Sequence, residues 1–182
     1  MPYTFFRNIV LSLIFFLPQN AIWAQKANPS HVSLNQIYWD NDLILPRLQN
    51  EENRGLAGAF SGILSNNLIV AGGTNFPNLM PWEGGKKKWW DTLYLYSLKK
   101  KKAKWRISAK ALPHPIAYGV SIQLENGILC IGGCDSTQCY RDVFMISMEK
   151  HKISISTDWP SLPIPLANAC GTLIDGKIYI IG

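Results

Sequence analysis

Short apolar runs separated by tight polar turns recur along the chain. Three segments match. The first runs from Ala57-Gly58-Ala59-Phe60 to Ala71-Gly72-Gly73, the second from Ala117-Tyr118-Gly119-Val120 to Ile131-Gly132-Gly133, and the third from Ala167-Asn168-Ala169-Cys170 to Ile181-Gly182. In each, fifteen positions separate the leading alanine from the first glycine of the doublet. Each holds a turn pair (Asn66-Asn67, Asn126-Gly127 or Asp175-Gly176) between two apolar runs, the pattern of a two-residue β-hairpin. The second runs are Leu68-Ile69-Val70, Ile128-Leu129-Cys130-Ile131 and Ile178-Tyr179-Ile180-Ile181. The third turn falls one position early relative to the first two.

Two more strands follow each of the first two hairpins. A third strand is predicted at Thr92–Tyr96 and Val143–Ile146, each preceded by an aspartate, Asp91 or Asp142. A fourth is predicted around Lys104–Ile107 and Lys152–Ile155, with Trp105 in its core. Proline-rich links, Leu112-Pro113-His114-Pro115 and Leu162-Pro163-Ile164-Pro165, then lead to the next repeat. The doublets lie 60 and 50 residues apart. Four strands per repeat of about 50 residues is the kelch pattern, so the fold class expected is an all-β, kelch-type β-propeller. Ile37-Tyr38-Trp39 and Leu45-Pro46 read as an orphan outer strand, with Trp39 in the core, and its exit link. Two full blades, a hairpin and one outer strand do not close a ring of four to eight blades. The expectation is therefore a partial propeller over residues 25–182, truncated inside the third repeat of a longer protein, with sheet edges exposed if it stands alone.

The N-terminus changes the compartment expected. Arg7, the apolar stretch Ile9–Leu17, Pro18 and Ala21-Ile22-Trp23-Ala24 read as a signal peptide over residues 1–24. A membrane anchor is the competing reading of the same stretch. Cleavage would leave a secreted, periplasmic protein with no membrane association. The net charge is +6, concentrated in two lysine clusters with no nucleic-acid-binding motif beside them, so no nucleic-acid partner is expected. Of four cysteines, Cys134 and Cys139 share a short loop and form the expected disulfide in an oxidising compartment. Cys130 and Cys170 lie in apolar runs and read as core residues. The spacing lacks paired C-x-x-C and no histidine is near, so no metal site is expected.

The segment Gly55-Leu56-Ala57-Gly58-Ala59-Phe60-Ser61-Gly62 is followed by Ala71-Gly72-Gly73. A long loop follows, from Asn75-Phe76-Pro77 to Trp82-Glu83-Gly84-Gly85-Lys86-Lys87, and then Ala117-Tyr118-Gly119-Val120-Ser121. In order and spacing this resembles the N-acetylneuraminate (sialic acid) mutarotase family, in its cyclically permuted branch, from about Gln36 onward. The resemblance implies a six-bladed periplasmic propeller that interconverts the α and β anomers of sialic acid without a cofactor. It implies a small acidic sugar as partner and leaves the oligomeric state open. It also implies that the family's catalytic glutamate and arginine lie on a blade that, after permutation, would follow Gly182.

Antiparallel strands place the second-to-third-strand loops and the inter-blade links on one face of a blade, and the hairpin turns on the other. The five lysines among residues 99–104 thus lie opposite Lys86–Lys88. The ligand face expected is that of the long loop, seventeen residues from Thr74 to Trp90 against eight from Cys134 to Arg141. Anomer exchange needs a base for the anomeric hydroxyl, an acid for the ring oxygen and a cation for the carboxylate. Glu83 is the candidate for proton transfer, and Lys86 or Lys87 for the carboxylate. Phe76, Trp82 and Tyr118 are candidates to cover the sugar's apolar face. Asn75, Arg54 and Arg141 are candidates at the same rim. Each has a plainer alternative: Glu83 paired with a surface lysine, Lys86–Lys88 solvated, Trp82, Trp89 and Trp90 packing the loop, Asn75 in a turn, His114 inert. Two other functions compete. One is a non-catalytic sugar- or protein-binding module. The other is a kelch-type copper oxidase, which needs clustered histidine and tyrosine ligands that His31, His114 and His151 do not supply.

Overall fold

The computed structural model describes residues 36–39, 43–47, 53–99 and 102–182. The expected signal peptide, residues 1–24, lies outside them. The chain divides into Met1–Trp39 and Asp40–Gly182. Within the first unit, residues 36–39 form no strand, and Ile37, Tyr38 and Trp39 are exposed. This corrects the expectation of an outer strand with Trp39 in a core. A strand is stabilised by its ladder partner, and no described strand pairs with these residues.

The second unit holds two four-stranded antiparallel sheets. The first comprises β1 (Phe60–Leu64), β2 (Asn67–Ala71), β5 (Leu93–Ser97) and β6 (Arg106–Ile107) in that order. The second comprises β7 (Val120–Gln123), β8 (Ile128–Ile131), β9 (Val143–Glu149) and β10 (Lys152–Ser156), likewise in chain order. β11 (Cys170–Ile174) and β12 (Lys177–Ile181) form a third hairpin. Short strands β3 (Thr74–Asn75) and β4 (Lys88–Trp89) pair within the long loop. These are blades of a kelch-type β-propeller, strands running in sequence across each sheet.

Burial explains the apolar patterns. β8 is buried at all four positions because both of its faces are covered. Ile128 and Cys130 join Phe60, Ile69, Leu93 and Leu95 of the first blade in one core. There Phe60 meets Phe144 edge to face, with centroids 5.5 Å apart. Leu129 and Ile131 face the other way, with Val120, Ile122 and, from the third hairpin, Ile180. On that hairpin Leu173, Ile174, Tyr179 and Ile181 are exposed. Cys170, expected in a core, is exposed there too, because no described sheet covers its face. Cys130 is fully buried, and burial pushes its thiol well up from the usual range.

The turn register differs from the expectation in a way that tightens the repeat. Ser65 and Asn66 carry positive φ (47° and 61°) and form the first turn, while Asn67 already belongs to β2. The second turn is Glu125-Asn126, closed by the Leu124 N–H donating to the Gly127 carbonyl at 2.8 Å. With Asp175-Gly176 as the third, all three turns fall at the same distance from their leading alanines. The apparent one-residue offset disappears.

The glycine doublets are docking points for the links. The Gly73 N–H donates to the Ile116 carbonyl at 2.8 Å, and Gly133 does the same to Leu166 at 2.7 Å. A Cβ on Gly72 or Gly132 would lie 2.5 or 2.4 Å from those same carbonyl oxygens, and both residues have φ above 60°. Leu112 and Ile116 donate to the Asp91 and Trp90 carbonyls, and Leu162 and Leu166 to those of Arg141 and Tyr140. The prolines between them occupy positions from which the link needs no donor. Trp90 and Tyr140 are therefore equivalent. The extra ten residues of the first period all lie in the loop between Thr74 and Trp90.

Candidate ligand-binding site

The second-to-third-strand loop of the first blade and the residues leading into β1 and β7 line an open cavity of about 450 Å³. Its lining includes Arg54, Asn75, Phe76, Met80, Lys87 and Tyr118. Both of its charged groups are cations, Arg54 and Lys87, and no carboxylate lines it among the described residues. Leu56, Phe76 and Met80 supply an apolar wall.

Lys87 is placed by the β3–β4 pair, which brings the far end of the long loop back beside Thr74. Its ammonium donates to the Tyr118 hydroxyl at 2.7 Å and lies 4.8 Å from that ring's centroid and 5.3 Å from that of Trp89. Asn75 is fixed on both sides. Its amide donates to the Gly55 carbonyl at 3.0 Å, and its oxygen accepts from the Trp90 indole at 2.8 Å. Thr74 is buried, and its hydroxyl donates to the Lys88 carbonyl at 2.7 Å. The Thr74 and Asn75 side chains are thus engaged within the wall, and the other polar side chains of the lining are Arg54, Lys87 and Tyr118.

Tyr118 carries a conformational cost. Its φ is +64°, and the equivalent positions after the leading alanines are Gly58 (+62°) and Asn168 (+57°). Glycine and asparagine adopt this region readily, whereas an aromatic residue does so at a cost of order 1–2 kcal/mol. The strap is shared by successive repeats: Tyr118 N–H donates to the Gly58 carbonyl and Asn168 N–H to the Tyr118 carbonyl, each at 2.8 Å. The ring packs directly over Gly58, where a Cβ would sit 2.4 Å from Tyr118 Cδ1. Strain held at a cavity wall is a pointer to function.

Four sequence candidates lie elsewhere. Glu83 does not line the cavity. Its carboxylate accepts from the Met80 N–H at 2.9 Å and caps the 3-10 turn Pro81–Glu83. Trp82 in the same turn is exposed. Lys86 lies outside the lining; Lys87, exposed like Lys86, is the lysine whose ammonium reaches Tyr118. Arg141 Nε donates to the Leu162 carbonyl at 2.6 Å and thus secures the second link. The structure brings together Arg54, Asn75, Phe76, Lys87 and Tyr118.

Neighbouring polar groups were not legible as partners. His114 Nε2 lies 2.9 Å from Asp142 Oδ2, and its ring stacks against Tyr140 at 4.1 Å, tying the first link to the second blade. The Tyr140 hydroxyl donates to Asp135. That bond, with the Thr137 and Gln138 N–H donors, holds the Asp135 carboxyl far below the usual carboxylate range. Of the lysine-rich turn of the first blade, the described Lys99 follows Leu98 at the opposite end of the sheet, where the Leu98 N–H donates to the Asn66 carbonyl. Among the described residues no three His, Cys, Asp or Glu side chains gather as metal ligands.

Comparison with known proteins places this architecture. Residues 21–155 match the family model of N-acetylneuraminate epimerase. An N-acetylneuraminate epimerase of Yersinia pestis (strain Pestoides F) is 42% identical over 88 residues, covering 43% of this chain and 21% of that protein. One from Haemophilus influenzae (strain PittEE) is 33% identical over 129 residues, covering 65% of this chain and 33% of that protein. A solved structure described as "Structure of YjhT" superposes with a TM-score of 0.50 at 29% identity, covering 62% of this chain and 33% of that one. The chain thus spans about a fifth to a third of the length of the relatives it matches. It belongs to the N-acetylneuraminate epimerase family.

Proposed function

We propose that this chain forms part of the sugar-binding rim of an exported mutarotase that interconverts the α and β anomers of N-acetylneuraminate. The observation that carries the reading is the convergence of Arg54 and Lys87 on one partly apolar cavity whose described lining holds no carboxylate. A 2-keto acid sugar presents a carboxylate beside its anomeric carbon. Two cations from different loops suit that group, each charge-assisted hydrogen bond being roughly twice as strong as a neutral one. Phe76 and Met80 offer contact area to the apolar edge of the pyranose.

Anomer exchange opens the ring. The anomeric hydroxyl loses a proton, the bond between the anomeric carbon and the ring oxygen breaks, and that oxygen gains a proton. The keto group then rotates and the ring recloses on its other face. With Glu83 engaged as a turn cap, the groups in this segment suited to the task are the Lys87 ammonium and the Tyr118 hydroxyl it touches. Together they can hold a proton at an oxygen of the bound sugar while Arg54 retains the carboxylate. This assigns the segment to holding and orienting the substrate. An acid–base pair would come from blades outside this chain.

The test is two-dimensional NMR exchange between the α and β anomers of N-acetylneuraminate, run on the full chain and on the longer protein that contains it. Faster exchange than in buffer in the longer protein, reduced by Lys87→Met, is the expected result, with sugar binding alone expected of this chain. Exchange no faster than buffer in the longer protein, with the sugar still bound, would favour a non-catalytic sugar-binding propeller. No binding at all would remove the proposal.

A further inference from the structure

At the ligand-face end of each blade, three backbone segments form one small ladder. In the first blade Ala57 bridges Thr74, and Thr74 pairs with Trp89. In the second, Ala117 bridges Cys134, and Cys134 bridges Cys139. Cys134 therefore occupies the position of Thr74, and Cys139 that of Trp89. The first blade closes its loop across this rung with the Thr74 hydroxyl donating to the Lys88 carbonyl. The second blade has a thiol at each end of the same rung.

We propose that Cys134 and Cys139 form a disulfide that closes the second blade's loop, standing where the first blade uses the Thr74 hydrogen bond. The backbone already has the required geometry. Tyr140 N–H donates to the Gly133 carbonyl at 2.8 Å, and Asp135 N–H to the Gln138 carbonyl at 3.0 Å. Those two bonds flank the rung, so Cys134 and Cys139 are a non-hydrogen-bonded antiparallel pair. Such pairs have Cα atoms about 4.5 Å apart, within the roughly 4.4–6.8 Å a disulfide spans. Asp135 fixes the turn between them by accepting from the Thr137 N–H at 2.6 Å and the Gln138 N–H at 2.9 Å. Both sulfurs are unbonded here, Cys134 half-buried and Cys139 exposed. Cys130 is buried in the core between the blades.

The chemistry is exchange with a disulfide oxidant. The exposed Cys139 thiolate attacks one sulfur of oxidised glutathione, forming a mixed disulfide and releasing one glutathione. The Cys134 thiolate then displaces the second. Two protein thiols become one disulfide, one glutathione disulfide becomes two thiols, and the two protons leave on glutathione.

The full chain, equilibrated across oxidised-to-reduced glutathione ratios, is quenched in acid, alkylated under denaturing conditions and cleaved before Asp135 and after Arg141. The cut before Asp135 separates the two cysteines. The expected product joins the peptide ending at Cys134 to the one beginning at Asp135, with fragmentation placing the alkyl group on Cys130. Cys170 is alkylated as well. Half-oxidation is expected at an oxidised-to-reduced ratio at least tenfold lower for the folded chain than for the same chain in denaturant, and Cys139→Ser leaves Cys134 alkylated. Linkage of Cys139 to Cys130 or Cys170, free thiols at both positions under oxidised glutathione, or equal ratios for folded and denatured chain would overturn the proposal.

Discussion

Lys87 and Tyr118, 31 residues apart, meet where the first blade's long loop reaches the strand leading into the second, their polar atoms 2.7 Å apart. The contact couples two inter-blade features, the inserted loop and the strained strap, in one cavity wall. Replacing Lys87 with methionine keeps most of the side chain's apolar length and removes the charge. Loss of a charge-assisted hydrogen bond costs about 1.5–3 kcal/mol, so binding of N-acetylneuraminate is expected to weaken by roughly 10- to 100-fold. Calorimetric titration of both proteins measures this.

Tyr118 sets ligand contact against backbone comfort. Asparagine, which the third repeat uses at the equivalent position, relieves the left-handed strain, a stabilisation of about 1 kcal/mol offset in part by the lost ring contact over Gly58. Tyr118→Asn is therefore expected to leave the thermal midpoint unchanged or higher while sugar binding falls. A clear drop in midpoint with binding intact would show that the tyrosine is there for packing.

The repeat was legible because its signals are local. Leading alanine, turn, apolar run and glycine doublet all lie within seventeen residues, and each reflects a backbone requirement. The seventeen-residue loop was not legible in the same way. Lys86 and Lys87 are chemically identical in sequence, and only the β3–β4 pairing decides which one reaches Tyr118. Glu83 had the composition of a proton carrier, yet it caps its own turn three residues back, as a glutamate at that spacing readily does. The first hairpin turn was misplaced by one because Asn67 resembles a turn residue. Its amide instead donates back to the Leu64 and Ser65 carbonyls from inside the strand. Tyr118 was recognisable as an outlier by comparing repeats, where glycine, tyrosine and asparagine share one position.

Two glycines of positive φ separate close approach from turn geometry. A Cβ on Gly132 would meet the Leu166 carbonyl oxygen at 2.4 Å, whereas one on Gly176 (φ +73°) meets nothing within 4 Å. Gly176→Ala is expected to cost about 1 kcal/mol, the strain alone. Gly132→Ala adds displacement of the inter-blade link and is expected to cost about 3 kcal/mol or more. Urea unfolding of the two variants tests the difference, and equal costs would contradict the docking role of the doublet.

Tyr94 gives a pH signature for the first blade. It is fully buried, and burial pushes its hydroxyl up from 10.0 to about 12, against a smaller opposing effect of the Asn53 amide 3.0 Å away. Because the folded protein holds this proton more tightly than the unfolded chain, the associated stability is intact below pH 10. It declines as pH rises from 10 toward 12. Ultraviolet titration is expected to show one tyrosine ionising last, near pH 12, and Tyr94→Phe to remove that step. Ionisation of every tyrosine near pH 10 in the folded protein would contradict the burial.

The most direct test is a crystal structure of the protein with N-acetylneuraminate bound. The sugar's carboxylate is expected within hydrogen-bonding distance of Lys87 and Arg54, its ring against Phe76 and Tyr118. Sugar seated at the opposite end of the blade, among Lys99, Lys102 and Lys104, or a cavity left empty at saturating sugar, would contradict the account.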